Sequence, residues 1–85
     1  MSSNPTEKDV ASALTAAGSA HHDYEQDALG GERDQRWAGW YAAYVLGQLG
    51  DFTTPTLLAK WLEGAPSGDD WAQSAAKHVK RELGA

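Results

Sequence analysis

Apolar residues recur along this chain at helical spacing, and polar or glycine-rich breaks divide them into four segments. From Glu7 onward, Val10, Leu14, Ala17, His21, Tyr24 and Ala28 fall three and four residues apart, one face of a first helix that runs to Gly30-Gly31. Thr6 precedes it as a cap. Gly18-Ser19 is the weak point of this segment, and the unbroken spacing across it favours one continuous helix over two. Residues 37–49 carry no charged side chain and include two Trp and two Tyr, which describes a helix apolar nearly all round. Asp34 is placed to cap this helix, giving it a span of about 34–49. On a helical wheel Trp37, Trp40, Tyr41, Tyr44 and Val45 fill one bulky arc, whereas Gly39, Ala43 and Gly47 form a flat one suited to a close neighbour, either the fourth helix or a second subunit.

The remaining breaks are equally legible. Gly50 ends the second helix, and Phe52 in the connection tucks against the core. Thr54-Pro55 starts a short third helix, because proline at the first helical position loses no intrahelical bond. Its apolar side is Leu57, Leu58, Trp61 and Leu62, and Gly64 with Pro66 stops it. Ser67-Gly68-Asp69 leads into a last helix that buries Trp71, Ala72, Ala75, Val79 and Leu83. No segment alternates as a strand does. The expected architecture is therefore all-α: a small bundle of four helices around a central aromatic-rich one, with residues 1–5 as a flexible tail and 6–85 as a single domain.

Composition narrows the function. An 85-residue chain buries only about 60–65 % of its unfolded surface, so its dense aromatic supply, four Trp and three Tyr, matters for the core. With no cysteine there is no disulfide, thiolate metal site or thiol nucleophile. Twelve acidic against seven basic residues give a net charge of −5, which argues against nucleic acid. The one basic cluster, Lys77, Lys80 and Arg81, suits the last turns of a helix. The apolar run 37–49 is too short to span a bilayer, and the first residues lack the features of a secretory signal. The expectation is a cytoplasmic protein that does not engage a membrane. Nothing in the chain matches a cofactor or phosphate loop or a serine-nucleophile motif, so no cofactor is expected.

The residues that could carry chemistry cluster in His21-His22-Asp23-Tyr24-Glu25-Gln26-Asp27. His21 lies on the inward face with Glu25 one turn on, while His22 is rotated about 100° onto the flank. An imidazole beside a carboxylate can serve as a general base or a metal ligand, so His21, Glu25 and Tyr24 are the catalytic candidates. The competing reading is a core histidine whose ring nitrogens are satisfied by neighbours. His78 and Glu82 repeat the His-x-x-x-Glu spacing, and with His21 and Glu25 they are the metal candidates, although they also fit a solvated face. Trp37, Trp40, Tyr41 and Tyr44 are candidate walls of a ligand site, and equally a core. The hydroxyls of Tyr24, Tyr41 and Tyr44 need partners, for which His21, Glu25 and Gln48 are the candidates.

The string His-His-x-Tyr-Glu, then Leu-Gly-Gly, then Asp-Gln-Arg-Trp-Ala-Gly-Trp-Tyr-Ala-Ala-Tyr, resembles a pattern of small uncharacterised bacterial proteins over roughly residues 14 to 50. Its hallmark is the spacing of Asp34, Trp37, Trp40, Tyr41, Ala42 and Tyr44, preceded by His22, Tyr24 and Glu25. The resemblance implies that the His-Tyr-Glu segment and the aromatic helix belong to one site, and it carries no activity. The leading functional expectation is a non-enzymatic binding or accessory module acting through protein association, including a homodimer. The alternative is a ligand-binding or enzymatic bundle with a His/Glu/Tyr site between the first two helices, metal-dependent in one version.

Overall fold

A computed structural model describes residues 5–32, 34–65 and 70–84. Within them four helices run in the order α1 (Glu7–Asp27), α2 (Trp37–Leu49), α3 (Pro55–Glu63) and α4 (Trp71–Gly84), and no strand occurs among the described residues. The protein is an all-α bundle. α1 packs on α2 and α4, and α3 packs on the same two helices, so the elements close a ring in which α2 and α4 lie on a diagonal.

Local chemistry explains the boundaries. Thr6 and Asp9 form a reciprocal capping box, with Thr6 Oγ1 accepting from the Asp9 N–H at 3.0 Å and Asp9 Oδ2 accepting from the Thr6 N–H at 3.1 Å. α1 then runs unbroken through Gly18. At its far end Gly30 and Gly31 take φ of +62° and +88°, a left-handed pair that side chains resist, and the Gly31 N–H reaches back to the Glu25 carbonyl at 2.8 Å. Thr54 Oγ1 accepts from the Leu57 N–H at 3.2 Å, with Pro55 opening α3. Of the tail expected at 1–5, Pro5 is described, and its carbonyl accepts a bond from Lys80 Nζ at 2.8 Å; residues 1–4, and the Pro66 stop and Ser67-Gly68-Asp69 lead-in, lie outside the described residues.

The core is aliphatic and fully enclosed: Val10 and Leu14 of α1, Val45 and Leu46 of α2, Leu58 and Leu62 of α3, and Ala75, Ala76 and Val79 of α4. Phe52 packs against it. Three expectations need correction. Leu57 is 44 % exposed, because Leu58 and Leu62 already fill the inner side of α3. The central helix begins at Trp37 rather than 34, and Asp34 does not cap it; the N-cap position is Arg36, with no side-chain bond. The inner stripe of α2 is Ala38, Ala42, Val45 and Leu46 instead of the aromatic arc, of which only Val45 is buried. Small side chains at Ala13, Ala17, Ala38 and Ala42 let helices pack closely, and the large rings wrap the flank, where they are half-buried.

The flat stripe Gly39, Ala43 and Gly47 is exposed. A Cβ built on Gly39 or Gly47 would meet no atom within 4 Å. α4 therefore does not cover this face, since it packs against α1 and α3.

Candidate functional site

His21 lies on the inward stripe of α1, between Ala17 and the helix end, and only 6 % of it is exposed. Its Nε2 sits 2.9 Å from Asp34 Oδ2, in the loop between α1 and α2. A carboxylate accepts, so the imidazole proton resides on Nε2. Nδ1 faces Glu25 Oε1 at 3.8 Å, beyond hydrogen-bond reach. The other oxygen of Glu25 accepts the Asp34 backbone N–H at 2.8 Å, and Asp34 Oδ1 accepts the Arg36 N–H at 2.9 Å. Asp34 thus spends one oxygen on the histidine and the other on its own loop, and Glu25 pins the same loop to α1.

The electrostatics follow from these contacts. The hydrogen bond from His21, and then the Arg36 N–H, hold the Asp34 carboxyl below its ordinary value of 3.8. Burial, and secondarily the charge of Glu25, push the Tyr41 hydroxyl above its ordinary 10.0, so it stays protonated.

Rings enclose the imidazole on its other sides. Trp40 meets it edge-on with centroids 5.0 Å apart, Tyr41 lies at 5.1 Å and Tyr24 at 6.0 Å. Trp40 stacks on Tyr44 at 5.7 Å and 14°, the separation set by one helical turn. On the other flank Trp37, Tyr41 and Trp71 meet edge-to-face in a triangle with centroids 5.6–5.8 Å apart, which ties the start of α4 to α2. All the candidate walls, Trp37, Trp40, Tyr41 and Tyr44, therefore belong to one aromatic cluster that reaches His21.

The structure brings His21, Glu25, Tyr24, Trp40 and Tyr41 together and leaves other candidates elsewhere. His78 stands on α4 beside Gly64, with Nε2 3.8 Å from Glu82 Oε1, so the two His-x-x-x-Glu pairs occupy different seams of the bundle. Among the described residues no group of three or more His, Asp or Glu is disposed to hold a metal. Gln48 is exposed and lines an open concavity of about 220 Å³ between α1 and α2 with Asp9, Ser12 and Leu49, none of which is a candidate. The Tyr41 hydroxyl lies instead against Gly18, 3.4 Å from where a Cβ there would stand.

Sequence reasoning gave Asp34 the wrong task. The missed signal is a carboxylate just past a Gly-Gly reversal, which returns the chain alongside the helix end that carries His21 and Glu25.

Chemically, the arrangement orients and immobilises an imidazole. Asp34 bonds one ring nitrogen, and Asp34 and Glu25 together tie the α1–α2 loop to the helix end. No known family model, curated protein or solved structure matches this chain.

Proposed function

We propose that the chain is a non-enzymatic association module whose contact surface is the outward face of α2, with a second copy of the chain as the partner and the cytoplasm as its setting. The observation that carries this reading is the uncovered stripe Gly39, Ala43 and Gly47 on a helix with no charged side chain. A glycine inside a helix costs about 1 kcal/mol relative to alanine, and here no neighbour in the chain needs the space. A partner helix approaching the stripe would need it. Half-buried Trp40 and Tyr44 border the stripe and supply rings that an interface would cover further. None of the four Trp is fully buried within the chain.

The 6 % exposure of His21 weighs against the enzymatic alternative, because little of the imidazole is open to a substrate. Light scattering coupled to size-exclusion chromatography tests the proposal. The expected mass is that of two chains at high concentration, reduced to one by Ala43→Glu, an exposed position where the fold is retained. A one-chain mass for the unaltered protein at every concentration overturns it.

A further inference from the structure

Three of the seven basic residues fall within five positions of α4, and the structure gives them different tasks. Lys80 reaches across to the Pro5 carbonyl. Only Arg81 lies in the last turn, where the helix dipole favours a cation. Lys77 lies outside that turn, so the helix end does not account for it.

Lys77 and Arg81, one turn apart, line a cleft of about 140 Å³ completed by Ser74 and His78. Like charges at this spacing repel and weaken a helix. Among the described residues neither cation is ion-paired, and the nearby carboxylate, Glu82, faces His78. Two basic residues, a serine and a histidine thus line one small concavity in an otherwise acidic protein.

We infer that this cleft binds an oxyanion of the phosphate class. A guanidinium fork engages two oxygens of such a group, the ammonium of Lys77 supplies a point charge, and the Ser74 hydroxyl donates to a remaining oxygen. The bound dianion also relieves the repulsion between the two cations. The overall charge of −5 favours a small phosphate or phosphomonoester over a nucleic-acid polyanion. This site is independent of the association surface on α2.

An amide NMR titration of the full chain tests it, with inorganic phosphate and phosphoserine as probes and sodium chloride at matched ionic strength as reference. Saturable shifts centred on Ser74, Lys77, His78 and Arg81 are expected. Lys77→Gln and Arg81→Gln should each weaken binding about tenfold, the loss of one charge-assisted contact, and Lys60→Gln should leave it unchanged. A stronger response to phosphoserine than to phosphate identifies an esterified ligand. Shifts that grow linearly, that chloride reproduces, or that survive the double substitution overturn the site; both side chains are exposed, so spectra elsewhere report that the variants remain folded.

Discussion

The two ends of this bundle are held by different physics. Where α3 meets α2 and α4, the interior is Val45, Leu46, Leu58, Leu62, Ala75, Ala76 and Val79, with no polar side chain among them. Where α1 turns into α2, the interior is an imidazole, two carboxylates and a shell of rings. The aliphatic end depends on area removed from water, at about 25 cal/mol per Å², and is indifferent to pH. The aromatic end depends on bonds of fixed direction, which hold a loop containing two left-handed glycines. One end supplies stability; the other supplies a defined loop geometry and a sensitivity to protonation.

The sharpest way to break the contrast is to hollow out the aliphatic end. Leu58 is fully buried, and Leu58→Ala should cost about 3 kcal/mol, a large fraction of what a domain of this size possesses. Urea unfolding followed by far-UV circular dichroism would read it, and a loss below about 1 kcal/mol would mean that the seam is not packed as described. At the aromatic end His21→Ala removes a ring and strands Asp34, with an expected cost of about 2 kcal/mol. Its distinctive readout is hydrogen exchange: the amides of Gly31 and Asp34 should lose protection while those of Leu58 and Val79 keep theirs.

The two ends were also unequally legible in the sequence. Period, caps and stops at Thr6, Thr54-Pro55 and Gly64 gave the four helices, because those signals are local. The aliphatic stripes of α1 and α4 followed from the same period. The inner side of α2 did not: on a helix without charges, a wheel cannot tell a bulky arc from a buried one, and the close approach of neighbouring helices selected Ala38 and Ala42. His21 and Glu25 were recognisable as a pair one turn apart. Their link to Asp34, thirteen residues from His21, depends on how the Gly-Gly reversal aims the chain. That is a tertiary fact.

A pH series separates the ends in direction as well as in size. Asp34 titrates below its ordinary value in the folded chain, so its contribution to stability is fully present above about pH 4 and is lost as pH falls through the lowered value. The unfolded chain then binds the proton more readily than the folded one. Asp34→Asn should therefore unfold more easily than the unaltered protein at neutral pH, with the difference shrinking under acid. Leu58→Ala should keep an undiminished deficit over the same range. A constant gap for Asp34→Asn would remove the carboxylate from the account of the loop.

The smallest effect concerns the outer face of α2. Gly47 is exposed, and a methyl group there meets nothing within 4 Å. Gly47→Ala should stabilise the isolated chain by up to about 1 kcal/mol, by restricting the unfolded backbone and favouring the helix. If the stripe packs against a second copy, the same methyl intrudes on the interface, so the variant should melt higher when dilute and dissociate at higher concentration than the unaltered protein. Opposite signs for folding and association are what a glycine kept for close approach predicts. Stabilisation without any loss of association would show that the stripe is open surface and that the partner contacts the protein elsewhere.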